Sequence, residues 1–285
     1  MKICRFDDNR LGVVKDGLVH DVTEALDVIA PSTYPLPRFD PLIANLDKVR
    51  ARIETLLPNA PTRKVEDVKL LSPVASPGKL VAAPVNYLKH LEEARTDKGI
   101  HHNNQILEIQ RIGVFLKATS SLIGPSDTVR IRHADRRNDH EIELAVIIGK
   151  PGTRISKENA LDHIAAYCIG LDMTVRGPEE RSLRKSVDTY SVLGPWMVTS
   201  DELKDPTNLG FELTVNGETR QKANTRDLVL GVAELIEYAS AFYTLNPGDV
   251  IYTGTPEGVG PVVPGDTIVA QFDQIGTMQV AVGAY

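Results

Sequence analysis

Two glutamates and an aspartate, each beside an apolar segment, are the residues whose types and spacing point most directly to chemistry. Glu141 and Glu143 precede the β-branched run Val146-Ile147-Ile148, and Asp172 ends a second apolar segment. The run is typical of a β-strand, whose side chains repeat every two residues, so Glu141 and Glu143 are expected on one face. Carboxylates about 5 Å apart repel by roughly 3 kcal/mol at an effective dielectric of about 20, unless water or a cation screens them. A solvated strand edge would account for the pair alone, whereas a third oxygen from Asp172 would complete a site for a hard divalent ion such as Mg2+ or Mn2+.

His90 and Glu93 are three residues apart, which is the spacing of neighbours on one face of a helix. A helix is predicted over residues 86–95, beginning at an N-cap Asn86, and it places His90 and Glu93 three residues apart on one face. A carboxylate beside an imidazole orients the ring and raises its basicity, which suits a base that activates water. An exposed polar helix face is the alternative explanation.

Three further features could contact an anionic substrate. Lys185 could neutralise a substrate carboxylate or an enolate oxygen, although a single Lys is more commonly a surface residue. The forked donors of Arg176 suit a carboxylate, and a nearby Glu would serve equally well. Residues 252–260 are rich in Gly and Thr after a predicted strand, so backbone N–H groups there could approach an anion closely. A plain β-turn would explain the same composition.

Composition excludes several classes of protein. The chain has 285 residues, enough for one large domain with or without a small appendage, and its 42% hydrophobic and 25% charged content is that of a globular protein. A net charge of −6 argues against a nucleic-acid-binding surface and against an anionic-membrane surface. We expect neither a membrane-spanning segment nor a signal peptide, because no apolar stretch reaches about 18 residues and the first residues lack an apolar h-region. Because Cys4 and Cys168 are the only cysteines, we expect no disulfide framework or zinc site, and a cytoplasmic location.

The elements predicted along the chain favour an α+β fold dominated by β-structure. Residues 1–71 are expected to form a small N-terminal α/β domain with short strands and a helix over residues 45–57. The Pro-bearing residues 71–78 are the linker candidate, so residues 72–285 form the predicted second domain. Short strands predominate there, with a second long helix predicted over residues 227–241. This pattern favours a closed or rolled sheet over a doubly wound one.

Taken together, these segments resemble the fumarylacetoacetate hydrolase family in the family's order. The matching positions are Asn86 and Tyr87 with His90 and Glu93, residues 141–145, 170–172, 185–189, 193–196 and 215–218, Gln221, and residues 245–251 and 253–260. The resemblance spans about residue 79 to the C-terminus. The chain departs from many relatives after Arg176, where Gly177-Pro178-Glu179 replaces an Asp directly after the Arg and a Gln two residues further on.

The resemblance implies a mixed β-roll catalytic domain that forms a homodimer and acts on a small 2-oxo acid. It implies Mg2+ or Mn2+ held by Glu141, Glu143 and Asp172. It also implies that His90 and Glu93 activate water, on a segment that closes over the site, and that Lys185 faces the substrate. Substrate contacts are expected from the four remaining positions, which are Tyr87, Arg176, Gly254 and Thr255.

The chemistry expected from these parts is hydrolysis of a C–C bond. Water activated by His90 would attack the distal carbonyl of an acylpyruvate, and pyruvate would leave as an enolate stabilised by the metal and Lys185. The products would be pyruvate and a carboxylic acid, and family analogy suggests a diketo acid from the breakdown of aromatic compounds. A decarboxylase of oxaloacetate and an isomerase of an unsaturated 2-hydroxy acid would use the same enolate. A non-catalytic metal-stabilised protein that binds small acids is a further alternative.

Overall fold

The computed structural model describes residues 1–285, and β-strands make up most of its regular structure. The strands are β1 (Lys2–Phe6), β2 (Arg10–Lys15), β3 (Leu18–Asp21), β4 (Thr62–Lys64), β5 (Leu70–Leu71), β6 (Leu80–Ala82), β7 (Phe115–Lys117), β8 (Leu122–Ile123), β9 (Thr128–Ile131), β10 (Asn138–His140), β11 (Ile142–Ile148), β12 (Ile164–Asp172), β13 (Thr174–Val175), β14 (Ser191–Thr199), β15 (Gly210–Val215), β16 (Glu218–Asn224), β17 (Val250–Tyr252), β18 (Gly260–Pro261), β19 (Thr267–Phe272) and β20 (Gly276–Ala284).

The helices are few and mostly short. The α-helices are α1 (Pro41–Ala44), α2 (Leu46–Leu56), α3 (Leu88–Thr96), α4 (Lys98–His101), α5 (Ile109–Ile112), α6 (Arg181–Lys185) and α7 (Val232–Phe242). Single 3-10 turns or short 3-10 helices lie at Thr23–Val28, Leu57–Asn59, Val65–Asp67, Thr119–Ser121, Lys157–His163 and Thr225–Asp227. None of the helices combines the length and the apolar character that crossing a membrane requires.

The strands form three sheets of mixed direction. The largest has twelve strands, with β4-β3-β2-β1-β14-β12-β11-β17-β6-β7 in order, β5 beside β1 and β8 beside β14. The others are β16-β15-β19-β20-β9 and β13-β10-β18. Most neighbours are antiparallel, whereas β6 with β17, β8 with β14 and β9 with β20 are parallel. The prediction of a β-dominated α+β fold with a mixed β-roll is confirmed.

Strand β11 carries the acidic tract into the interior of the large sheet, between β12 and β17. On one face, Leu144 and Val146 belong to the main hydrophobic core, and on the other, Ala145 and Ile147 belong to a second core cluster. Because both faces are covered, the strand is apolar at nearly every position rather than at alternate ones. Glu143 lies on the same face of the strand as Ala145 and Ile147, so its carboxylate points into the protein rather than into bulk solvent.

The N-terminal residues extend the same large sheet. Strand β1 pairs antiparallel with β14, with Lys2 opposite Val198. Helix α2, predicted over residues 45–57, packs its buried Val49 and Ile53 in the second core cluster together with Ala145 of β11. The division of the chain into domains at residues 71 and 72 stays a prediction.

Two predicted helices begin later than the sequence pattern suggested. Helix α3 starts at Leu88, because the side chain of Asn86 bonds distant backbone groups at Leu230 and Thr253 instead of capping the helix. Helix α7 starts at Val232 rather than at residue 227, since residues before it form a 3-10 turn and an extended segment.

Candidate active site

The three carboxylates singled out in the sequence lie together. Strands β11 and β12 pair antiparallel, with Ile142 opposite Leu171, and this register brings the start of β11 beside the end of β12. One oxygen each from Glu141, Glu143 and Asp172 lies within 4.8 Å of the others, and all three side chains are buried. Antiparallel pairing therefore converts two distant sequence segments into one cluster of oxygen ligands.

Two lysines neutralise part of this acidic cluster. The Lys185 ammonium lies 2.5 Å from Glu141 Oε2 and 2.6 Å from Asp172 Oδ2. Lys117, which sequence reasoning missed, donates to Asp172 Oδ1 and, at 2.8 Å, to the carbonyl oxygen of Tyr190. A signal for Lys117 existed, because alternation along β7 buries Phe115 and Lys117 and exposes the residue between them.

The two glutamates have opposite electrostatic environments. Burial opposes the charge on Glu141, but Lys185 and Arg176 outweigh it and lower the pKa of that carboxyl. Burial and the nearby Asp172 and Glu141 charges raise the pKa of Glu143 well above its usual value. Glu143 makes no ion pair, and its hydrogen bond comes from the Gly254 N–H at 2.6 Å.

The balance of negative and positive charge in the carboxylate cluster indicates whether these residues suit a divalent cation. Three buried carboxylates share a small volume, and one of them lacks a cationic partner. A 2+ ion would supply the missing charge, and carboxylate oxygens are the ligands that Mg2+ and Mn2+ prefer. The residues present therefore fit such an ion.

The predicted histidine–glutamate pair forms on α3. His90 Nδ1 lies 2.8 Å from Glu93 Oε2, and the other oxygen of Glu93 accepts a 2.9 Å hydrogen bond from the Gly258 N–H. Glu93 thus connects the helix to the Gly-rich loop. His90 is 4% exposed and lines the same cavity as Glu141 and Glu143.

The Gly-rich loop is held against the acidic cluster rather than left open to an anion. The Gly254 N–H is donated to Glu143, and the Thr255 hydroxyl donates to the Ile142 carbonyl at 2.9 Å while accepting from Gln221. Gly254 has φ +101°, and a Cβ there would lie 2.6 Å from the Asn86 Cβ, so only glycine fits without displacement. Thr255 lines the cavity.

Arg176 and Tyr87 have surroundings that sequence reasoning did not resolve. Arg176 donates from Nε to Asp139 Oδ2 and from Nη2 to Glu141 Oε1, both at 2.8 Å, so the alternative of pairing with a nearby Glu is realised. Tyr87 is buried and does not line the cavity, because its ring packs edge-on against Phe211 at 6.3 Å. Substrate contacts by Tyr87 and Arg176 stay predictions.

One cavity of about 60 Å3 joins these parts. From the predicted set it is lined by His90, Glu141, Glu143, Arg176, Lys185 and Thr255. Two cations that the sequence did not single out, Arg181 and Arg184 of α6, also line it. The arrangement places an imidazole, two carboxylates and several positive charges around one cavity, and such a set of groups suits the attack of water on an anionic carbonyl compound.

Relatives share both the sequence and the fold. A maleylpyruvate hydrolase of Aquipseudomonas alcaligenes is 58% identical over 286 residues, covering 99% of each chain. A mitochondrial oxaloacetate tautomerase of Xenopus laevis is 38% identical over 74% of this chain and 67% of its own. The crystal structure of maleylpyruvate hydrolase from Sphingobium sp. SYK-6 with manganese(II) and pyruvate matches with a TM-score of 0.84 and 43% identity, over 100% of this chain and 99% of that one.

The family model for the C-terminal region of fumarylacetoacetate (FAA) hydrolase matches residues 79–283. This match contains the acidic cluster, the His90–Glu93 pair, Lys185 and the Gly-rich loop. The chain therefore belongs to the fumarylacetoacetate hydrolase family.

Proposed function

We propose that this chain is a divalent-metal-dependent hydrolase that cleaves a C–C bond of an acylpyruvate, releasing pyruvate and a carboxylic acid. The observation that carries the proposal is one cavity lined by His90, Glu141, Glu143 and Lys185, with Glu93 bonded to His90 and Asp172 completing the carboxylate cluster. The 58% identity to a maleylpyruvate hydrolase supports it, and so does the fold shared with a maleylpyruvate hydrolase that holds manganese(II) and pyruvate. A diketo acid from the breakdown of aromatic compounds is the substrate class these relatives favour.

Glu141, Glu143 and Asp172 would hold the metal. When bound, a divalent cation supplies a Lewis acid that polarises a 2-oxo acid and stabilises developing negative charge. We propose Mg2+ or Mn2+, since both accept an all-oxygen set of ligands. Lys185 and Arg176 keep Glu141 ionised, so this ligand needs no proton removed before it binds a cation.

His90 would take a proton from the attacking water. Its Nδ1 is engaged by Glu93 at 2.8 Å, so Nε2 is the nitrogen left to accept the proton. Glu93 is itself held by the Gly258 N–H, which fixes the ring orientation. General-base catalysis of this kind contributes about 100- to 10,000-fold in rate.

Lys185 would face the departing pyruvate. An ammonium group has three donors, and two of those on Lys185 are used by Glu141 and Asp172, at 2.5 and 2.6 Å. The third donor is left for a substrate oxygen in the cavity that Lys185 lines. A donor already fixed by two carboxylates needs little reorganisation when charge develops on the substrate.

The test is release of pyruvate from a panel of acylpyruvates, maleylpyruvate included, with Mg2+ or Mn2+ and after chelation. Replacing His90 by Ala should lower the hydrolysis rate by at least about 100-fold, because His90 is the one histidine that lines the cavity. His133→Ala is the matched control, since His133 is exposed and lies outside the cavity. Absence of metal-dependent pyruvate release across the panel would refute the proposal.

The second candidate is enolisation or decarboxylation of oxaloacetate, which the 38% identity to an oxaloacetate tautomerase favours. These reactions need the metal site but no activated water. His90→Ala should therefore reduce hydrolysis much more than it reduces CO2 release or tautomer exchange. Measuring pyruvate, CO2 and the enol absorbance separately distinguishes the reactions.

A homodimer is proposed on the family resemblance alone, and a cytoplasmic location on the presence of two cysteines that form no disulfide framework. Light scattering coupled to size exclusion would measure the mass of the assembly, against 31.2 kDa for one chain. Cell fractionation would test the location.

A further inference from the structure

The cavity has more positive than negative side chains on its walls. Four cations line it, Arg176, Arg181, Arg184 and Lys185, whereas the two carboxylates that line it are Glu141 and Glu143. Lining residues of this balance suit a ligand that carries more than one negative charge. A divalent ion at the carboxylates would increase the positive excess.

Two of the four cations already have carboxylate partners. Arg176 bridges Asp139 and Glu141, and Lys185 bridges Glu141 and Asp172. Their charges are therefore largely satisfied within the protein. What remains to be explained is the pair of arginines on α6.

Arg181 and Arg184 have no carboxylate partner. The Arg181 side chain makes no hydrogen bond or ion pair within the chain, and its guanidinium carbon lies 5.5 Å from the centre of the Phe115 ring. Arg184 bonds only backbone carbonyls, from Nε to Glu179 at 2.8 Å and from Nη1 to Val175 at 3.4 Å. Burial lowers the pKa of both arginines, and for Arg184 the neighbouring Arg176 and Arg181 charges add to the effect. Neither guanidinium group therefore has an anionic partner within the chain, and an anion in the cavity would provide one.

Helix α6 sets the direction in which these charges point. Arg181, Arg184 and Lys185 are spaced three and four residues apart, so they share one helical face. The Lys185 ammonium lies 5.6 Å from the centre of the Phe115 ring, and the Arg181 guanidinium carbon lies 5.5 Å from the centre of the same ring. The distance between the two charged groups therefore cannot exceed the sum of these two distances. One face of α6 thus carries both Lys185, which contacts the carboxylate cluster, and Arg181, whose guanidinium has no anionic partner.

We infer that Arg181, assisted by Arg184, binds a second carboxylate at the acyl end of the substrate. This inference rests on the proposed function, in which the 2-oxo acid end lies at the carboxylate cluster beside Lys185. The enzyme would then select acylpyruvates whose acyl group ends in a carboxylate over those that end in a methyl group. A guanidinium matches a carboxylate with two parallel hydrogen bonds, which gives selectivity as well as affinity.

The apolar wall of the cavity agrees with this assignment. Ala94, Ile100 and Ile106 line the cavity, so a short hydrocarbon chain between two carboxylates would contact apolar side chains.

The test compares two substrates that differ only at the acyl end, succinylpyruvate and butanoylpyruvate. The enzyme should prefer succinylpyruvate in kcat/KM by about 10- to 100-fold, the range expected of charge-assisted hydrogen bonds. Arg181→Met should reduce this preference about tenfold, mainly through KM for succinylpyruvate, and the double variant with Arg184→Met should bring it close to one. Arg181→Lys should retain part of the preference. Arg132→Met is the matched control, because Arg132 is exposed and pairs with Asp188 in the loop after α6.

The outcomes separate this inference from the function on which it rests. If no acylpyruvate of the panel, these two included, yields pyruvate, the proposed function fails. If both are hydrolysed with equal kcat/KM, or if Arg181→Met slows both substrates to the same extent, the inference is wrong. Should Arg181→Met fail to fold, Arg181→Lys and inhibition of the unmodified enzyme decide the matter. Succinate should then inhibit butanoylpyruvate hydrolysis at least about tenfold more strongly than butyrate, and equal inhibition overturns the inference.

Discussion

Replacing Arg176 by Met should destabilise the fold by about 3–4 kcal/mol. The side chain is 6% exposed and makes two charge-assisted hydrogen bonds of 2.8 Å, to Asp139 and to Glu141. Each such bond contributes roughly 1.5–3 kcal/mol. The lower half of the summed range applies, because Asp139 keeps Arg137 and Glu141 keeps Lys185 after the substitution. Burial opposes the charge on Arg176, but Glu141 and Asp139 outweigh it and raise its pKa, so a charged group is being removed.

The assay is urea unfolding followed by circular dichroism, in chelator so that metal binding does not add to the stability. Arg176→Lys keeps the charge but not the fork, so it should recover only part of the loss. Arg132→Met removes an exposed ion pair and should change the unfolding free energy by less than about 0.5 kcal/mol. A loss below about 1 kcal/mol for Arg176→Met would refute the bridging role.

Three further predictions concern the metal, the Gly-rich loop and pH. Removing divalent ions should abolish pyruvate release and lower the melting temperature, and either Mg2+ or Mn2+ should restore both; unchanged melting would contradict a bound ion. Gly254→Ala should lower the free energy of unfolding by about 1–3 kcal/mol, because the new Cβ would clash with Asn86. Gly217→Ala is the control: its φ is also positive, but no atom lies within 4 Å of the new Cβ, so it should lower the free energy of unfolding by only about 1 kcal/mol. Burial raises the pKa of Asp249 despite its ion pair with Lys79, so its contribution to stability is full below the unfolded-state pKa and is lost as pH rises through the folded-state pKa. The stability advantage of the native protein over Asp249→Asn, measured by urea unfolding, should therefore shrink as pH rises above the ordinary pKa of an aspartate, about 4, and an advantage that grew would contradict this sign.

Local pattern predicted the parts of the site that depend on neighbours in the chain. The β-branched run specified β11, and the two-residue period placed Glu141 and Glu143 together. Helical spacing placed His90 beside Glu93, at 2.8 Å in the structure. Each of these relations involves residues at most three apart, for which backbone geometry alone determines the separation.

The sequence pattern placed the start of a helix wrongly where long-range hydrogen bonds compete with local ones. Asn86 is a good helix N-cap by type, yet its side chain bonds Leu230 and Thr253, more than 140 residues away, and the helix begins at Leu88. A cap preference of about 1 kcal/mol is easily outweighed by three hydrogen bonds to backbone groups that would otherwise be buried without partners.

The amino-acid sequence by itself determined the β-dominated class, the acidic tract and the types of residue available for chemistry. Only the tertiary structure decided which charges meet. Lys117 reaches Asp172 across 55 residues, and Arg176 is taken up by Asp139 and Glu141 whereas Arg181 is left without a partner. The physical reason is that ion pairs form between side chains brought together by strand pairing and packing, and no local periodicity encodes which distant strands become neighbours.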